Sequence, residues 1–247
     1  MPSASLQTLP ALSVVTTTDP TAGHLGELLN RLSRLATERN EWFEVVVVDD
    51  LKLWPSANQA LLDTRPGLQL RPLWYPEHRG QLAAMLAGIN LATADRVFTT
   101  DPDMFACVGE LPAMLEELQE NTALIHGIRP NRKDIGPLRL LGSRLANATV
   151  RAITGVKVSD LGSPVTLLRP SLVATAMGEA NRLPNPRLFL YARLGPALRT
   201  FKLAGSAPPG TPSQYRLFTL ITLFFQLVQD SIAVRHKLSA METKPSR

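Results

Sequence analysis

Two pairs of aspartates stand where an extended run of apolar residues gives out. Asp101 and Asp103, separated by Pro102, follow Arg96-Val97-Phe98-Thr99-Thr100, and Asp49 and Asp50 follow Glu44-Val45-Val46-Val47-Val48. Short runs rich in β-branched and aromatic residues predict strands. Alternate residues of an extended chain project to the same side, so Asp101 and Asp103 can face one point just past a strand's carboxyl end. In open α/β sheets that edge is where ligands bind. Two hard oxygen donors there suit Mg²⁺ or Mn²⁺, which would in turn hold a substrate's phosphates. Asp and Pro are also turn formers, so the spacing alone leaves a plain surface turn open.

The elements that must position these residues alternate along the chain. Leu12 to Thr17 predicts a first strand, and Leu25, Leu28, Leu29, Leu32 and Leu35 recur at helical spacing. The unbroken valines 45–48 predict a strand buried on both faces, as in a parallel sheet. Pro55 to Leu62 predicts a short helix, and Leu68 to Tyr75 a third strand. Gln81 to Leu91 predicts a helix with Leu82, Met85, Leu86 and Ile89 on its apolar side, feeding the Asp101 strand. Strands that alternate with helices and end in carboxylates argue for a doubly wound sheet with a site along one edge. Further on, Thr122–Gly127 and Thr166–Leu168 predict strands, and Leu138–Ile153 and the segment from Pro170 predict helices. Pro184 to Gly195 is ambiguous because prolines bracket it. Leu217 to Val228 predicts a helix with Leu217, Leu220, Ile221, Phe224, Phe225 and Val228 on one face and Thr219, Thr222 and Gln226 opposite. The tail from Arg235 is expected to fray.

Composition narrows the function classes. With 26 basic against 21 acidic residues the chain carries a net charge of +5, which favours an anionic partner. Arg129, Arg132, Lys133, Arg139, Arg144 and Arg151 crowd a stretch whose only acid is Asp134. They suit phosphate or anionic lipid, or form a solvated face. Aromatics do not interleave with them, which argues against nucleic acid. A single cysteine, Cys107, excludes a disulfide framework and a cysteine-based zinc site. Met1 to Pro10 lacks a signal-peptide layout, and no apolar run reaches the roughly 18 residues of a membrane span.

Six short motifs stand in a specific order: Asp49-Asp50 after the valine strand; His78-Arg79-Gly80-Gln81 opening a helix with Ala87-Gly88; Thr100-Asp101-Pro102-Asp103; Gly127-Ile128-Arg129-Pro130-Asn131-Arg132; Thr154-Gly155; and Ser159-Asp160-Leu161-Gly162-Ser163. Over residues 12–230 this order resembles the family 2 inverting glycosyltransferases of the GT-A fold, in particular the polyprenyl-phosphate (dolichyl- and undecaprenyl-phosphate) sugar transferases. The resemblance implies an α/β fold with a mostly parallel, Rossmann-like central sheet flanked by helices. It also implies a GT-A domain over 1–210 and a C-terminal amphipathic interface helix with a polar tail over 211–247.

By the same resemblance, Asp49 and Asp50 contact the nucleotide, with Gly80, Gln81 and Asp101 on the cofactor side of the site. Asp101 and Asp103 hold the metal and diphosphate, Arg129 and Arg132 hold phosphate, and Asp160 lies near the donor sugar. Asp49 and Asp50 could otherwise be turn formers, and Asp160 a loop cap. Three positions differ from the family pattern. The first strand runs into Thr16-Thr17-Thr18-Asp19-Pro20, no glycine follows Asp50, and Gln214 stands where a lysine is usual. The implied reaction moves a sugar from a nucleotide-diphosphate sugar to a polyprenyl phosphate or other anionic lipid, with peripheral contact at the cytoplasmic membrane face. A phosphate acceptor is already an anion, so no general base is required. A homo-oligomer is compatible with this reading. The alternatives are a soluble family 2 transferase with a non-lipid acceptor and a degenerate GT-A domain that binds without turnover.

Overall fold

The computed structural model describes residues 9–18, 22–49, 64–75, 80–129, 137–180, 183–204 and 217–242. Two compact units are present, residues 1–111 and 112–247. Asp50, Arg132, the expected Pro55–Leu62 helix and Gln214 lie outside the described residues.

The first unit contains strands β1 (Leu12–Thr17), β2 (Phe43–Asp49), β3 (Leu68–Trp74) and β4 (Val97–Thr99), with helices α1 (Ala22–Glu38) and α2 (Gln81–Leu91). Its strands run in the order β3-β2-β1-β4 and every pairing is parallel, with Val14 opposite both Val45 and Phe98. Every residue of β2 is buried, as the valine run predicts for a strand covered on both faces. At the edge, β3 carries Pro72, tolerable because an edge strand can forgo one ladder hydrogen bond.

The buried stripe of α2 is Ala84, Met85, Gly88 and Ile89. This corrects the expected apolar side, because Leu82 and Leu86 are only half-buried. The reason is close approach to the sheet. A Cβ at Gly88 would come within 2.3 Å of Val15 Cγ1 and 3.1 Å of Val48 Cγ2. Only a glycine lets the helix backbone settle onto β1 and β2 at this point. Beyond β4 the chain enters a 3-10 segment, Pro102–Glu110.

The junction between the units falls in α3 (Leu111–Glu117). The second unit contains β5 (Leu124–Ile128), β6 (Thr166–Leu168) and β7 (Leu198–Lys202) in the order β6-β5-β7. β5 is antiparallel to β6 and parallel to β7. Its helices are α4 (Pro137–Thr154), α5 (Pro170–Ala180), α6 (Pro186–Leu194) and α7 (Leu217–Glu242). The ambiguous proline-rich stretch is α6: Pro186 takes the first helical position, and the Asn185 side chain accepts from Leu188 N at 3.1 Å. Both are start signals rather than breakers.

Two expectations about the C-terminal segment are corrected. The helix continues through Glu242, with Ser231 and Val234 fully buried, so residues 235–242 do not fray. Of the expected apolar face, Phe225 is 63% exposed, while beyond that face Asp230 and Ser231 are buried and Leu223 and Ile232 are exposed. The buried polar groups have partners within α7 and at the cap of α6. Ser231 Oγ donates to Leu227 O at 2.6 Å, and Asp230 faces Asn185 Nδ2 at 3.5 Å.

Candidate active site

In the first unit, strand order reverses between β1 and β4, since β2 and β3 follow on the other side of β1. The carboxyl ends of parallel strands at such a switch point form a ligand crevice. Asp101 lies there, two residues past β4, in extended conformation (φ −83°, ψ 153°). Thr100 N donates to Val15 O at 3.1 Å, which keeps this segment beside β1 beyond the formal strand end. Pro102 then opens the 3-10 turn, and Met104 N bonds Asp101 O at 3.0 Å. Asp103 falls in its first turn, and both carboxylates are half-buried.

Gln81 begins α2 directly after Gly80, whose φ of +86° is a conformation that favours glycine. The Gln81 amide donates to both oxygens of Asp101. A carboxylate has about four lone-pair sites, so this anchoring leaves each oxygen able to accept again. Asp49 ends β2 and is buried, and Thr18 Oγ1, just past β1, donates to its Oδ1 at 2.9 Å. Asp49, Thr18 and Asp101 thus sit at the carboxyl ends of three adjacent parallel strands.

Among the described residues no group of three or more His, Cys, Asp or Glu side chains could enclose a metal by itself. Asp101 and Asp103 still fit Mg²⁺ or Mn²⁺, because such ions commonly take one or two carboxylates and complete their shell with water and substrate phosphates.

In the second unit, Arg129 follows β5 and Asp160 occupies a tight turn. The Arg129 Nε and Nη2 groups donate to Oδ2 and Oδ1 of Asp160 at 2.8 and 2.9 Å, and Arg129 N donates to Oδ2 at 3.1 Å. Both members are largely buried, Asp160 being 8% exposed. This forked, charge-assisted pair fixes both groups in one plane. Asp160 itself has φ +56°, uncommon for a residue with a Cβ. The surrounding bonds hold it there. Ser163 N bonds Asp160 O at 2.9 Å, and Arg187 Nη1 donates to Leu161 O and Ser163 O at 3.3 and 3.2 Å. The buried His126 ring on β5 places Nε2 3.0 Å from Asp160 O, with Nδ1 2.8 Å from the Tyr191 hydroxyl of α6. Burial, with the nearby Arg187 and Arg129 charges, lowers the His126 pKa to about 4 despite the contacts with Asp160, and burial pushes Tyr191 up to about 12.

The geometry therefore brings Gln81 to Asp101 and Arg129 to Asp160, pairs that spacing could not join. Thr18, His126, Arg187 and Tyr191 are additions that sequence reasoning missed. The signal for His126 was a histidine inside an apolar strand, Leu124-Ile125-His126, and Thr18 lay within the segment where the first strand departs from the family pattern.

A doubly wound first unit with carboxylates at its switch point, followed by a mixed strand–helix unit, defines the class as GT-A. Its fold likeness to glucosyl-3-phosphoglycerate synthase of Mycobacterium tuberculosis, solved with Mn²⁺ and UDP-glucose, has a TM-score of 0.64 at 17% identity. That match covers 92% of this chain and 79% of the other. Residues 13–173 match the model of glycosyl transferase family 2, and the chain belongs to that family. It is 33% identical to dodecaprenyl-phosphate galacturonate synthase of Rhizobium johnstonii over 64% of this chain and 48% of the relative. With undecaprenyl-phosphate 4-deoxy-4-formamido-L-arabinose transferase of Pseudomonas paraeruginosa it shares 31% identity, over 83% of this chain and 60% of the relative. The aligned region thus spans about half to three-fifths of these relatives' length.

Proposed function

We propose that the protein is a metal-dependent, inverting glycosyltransferase that moves a sugar from a nucleotide-diphosphate sugar to a polyprenyl phosphate. The observation that carries this reading is the Asp101 carboxylate at the switch point, anchored by Gln81 and paired at i, i+2 with Asp103. Asp101 and Asp103 hold Mg²⁺ or Mn²⁺ against the donor diphosphate. The ion, when bound, supplies Lewis-acid stabilisation of the charge that develops on the departing nucleotide. Asp49, fixed by Thr18, contacts the nucleoside portion, as does Asp50. Gly80 allows α2 to begin where Gln81 can hold Asp101. Arg129 and Arg132 bind phosphate, and Asp160 orients Arg129 near the donor sugar.

The acceptor reading draws on the names of the relatives, both of which act on polyprenyl phosphates. It is also supported by α4 and α7, which pack against each other. Leu141 and Leu145 of α4 and Leu223, Phe225 and Ile232 of α7 are exposed apolar residues. Arg144, Arg151, Arg235 and Lys237 are exposed on the same two helices. Apolar side chains accompanied by cations suit in-plane contact with an anionic membrane surface. Among the described residues no helix is long and apolar enough to cross a membrane.

The test is transfer of labelled sugar from UDP- and GDP-sugars to polyprenyl phosphate in anionic vesicles, with Mn²⁺ or Mg²⁺. Transfer that requires both the lipid phosphate and a divalent cation is expected. Transfer to a water-soluble acceptor but not to the lipid would overturn the acceptor assignment.

A further inference from the structure

The Arg129–Asp160 pair is held by a chain of buried polar groups that runs away from it into the second unit. Asp160 O can only accept, so the nitrogen facing it, His126 Nε2, must carry a proton. Burial keeps the ring neutral, so it carries one proton only. Nδ1 is then an acceptor, and the Tyr191 hydroxyl 2.8 Å away must donate to it. The two rings meet edge to face, with centroids 5.3 Å apart and planes at 65°. Every proton in the relay Tyr191 O–H to Nδ1, Nε2–H to Asp160 O is thereby assigned. The opposite tautomer would set a nitrogen lone pair against the carbonyl oxygen.

The carbonyl so held belongs to the residue with φ +56°. Its carboxylate, on the same α-carbon, takes the fork of Arg129. A backbone held in a sparsely populated region persists only where its surroundings over-determine it. Here the turn is tied through its backbone oxygens by His126, Ser163 N and Arg187, and through its carboxylate by Arg129.

We propose that His126 and Tyr191 are positioning residues: the Tyr191 hydroxyl donates to Nδ1 and so holds the His126 ring, and the Nε2–H pins the turn at Asp160 and so aims the Arg129 guanidinium. The catalytic consequence rests on the glycosyl-transfer reading above. The geometric claim does not.

The experiment uses the full chain with Tyr191→Phe, His126→Asn and His126→Gln. The Gln amide reaches close to the place of Nε2 and can keep the donation to Asp160 O, whereas the shorter Asn amide lies near Nδ1 and cannot. Nitrogen-15 NMR of the histidine rings is expected to show His126 protonated on Nε2 alone in the wild type. In Tyr191→Phe the ring, still protonated on Nε2 but released at Nδ1, is expected to show a changed Nδ1 shift and a shifted or broadened Arg129 Nε–H resonance. Misaiming a group by about 1 Å can cost on the order of 100-fold. Sugar transfer is therefore expected to fall about 30-fold in kcat in His126→Asn. His126→Gln is expected to stay within about threefold of wild type, although both variants lower the melting temperature. An unchanged Arg129 Nε–H signal in Tyr191→Phe would overturn the proposal. So would equal losses of turnover in Asn and Gln that simply follow stability. If the wild type transfers no sugar, the glycosyl-transfer reading fails alone, and the NMR comparison still decides the positioning claim.

Discussion

Asp101 and Asp160 both stand in motifs of the sequence pattern, yet their surroundings differ. Asp101 is half-buried beyond a parallel strand and is anchored by a neutral amide, Gln81. Asp160 is buried in a strained turn and accepts three hydrogen bonds from Arg129, two of them from its guanidinium. The Gln81 amide adds no charge of its own at Asp101. A carboxylate forked by an arginine already has its cation. The fork suits Asp160 to holding a side chain in place, and the metal role proposed for Asp101 rests on its position beside Asp103 past the strand end. The presence of an aspartate in a motif does not separate these roles, but its surroundings do.

The comparison can be broken most severely at Asp160. Removing one member of a buried pair leaves the other charge uncompensated, so Asp160→Asn is expected to cost about 3 kcal/mol of stability, read by denaturant unfolding. A loss under about 0.5 kcal/mol would mean that solvent already screens the pair.

Beneath Asp101 the first unit depends on packing instead. Gly88→Ala would drive a methyl into Val15, and overpacking of that kind costs about 2 kcal/mol. The same unfolding measurement checks it, and an unchanged midpoint would show that α2 can lift from the sheet freely.

A pH series sharpens the second unit's side. His126 titrates near 4 in the folded chain, below its ordinary 6.5, so between these values the unfolded chain binds more protons. Stability is then expected to fall as pH drops from about 6.5 towards 4, by roughly 1 kcal/mol per pH unit at its steepest. Comparing wild type with His126→Gln isolates that slope, and identical pH curves for the two would contradict the buried neutral ring.

The smallest stability effect belongs to Gln81→Leu. Its contact with Asp101 is exposed, and the change should stay within about 0.5 kcal/mol. Metal-dependent nucleotide affinity is expected to weaken about tenfold as Asp101 loses its anchor. Calorimetry showing unchanged affinity would remove Gln81 from the site.

Much of the fold was legible because strong periodicity and local signals agreed. The boundaries of β1, α2 and β6 match the expected Leu12–Thr17, Gln81–Leu91 and Thr166–Leu168. What escaped was set by tertiary contact. The Leu198-Arg199-Thr200-Phe201-Lys202 strand has two cations and a threonine among its five residues, and its pairing with β5 outweighs that weak pattern. The expected apolar face of α7 was misjudged at Phe225, which is 63% exposed, because which side of the helix is covered depends on its packing against α4 and α6 rather than on hydropathy. Asp101 and Asp103 stood out as candidates from spacing, since i, i+2 is a local relation. The Gln81–Asp101 and Arg129–Asp160 pairings join residues 20 and 31 positions apart, and only the folded chain brings them together.

The most direct test of the central claim is calorimetric titration of UDP and GDP, each with and without Mn²⁺, into wild type and Asp101→Ala/Asp103→Ala. The account predicts that one nucleotide binds the wild type only when Mn²⁺ is present, and that the double variant loses this binding while keeping its fold. Binding that ignores Mn²⁺ and survives the double substitution would contradict it, as would failure of both nucleotides to bind under either condition.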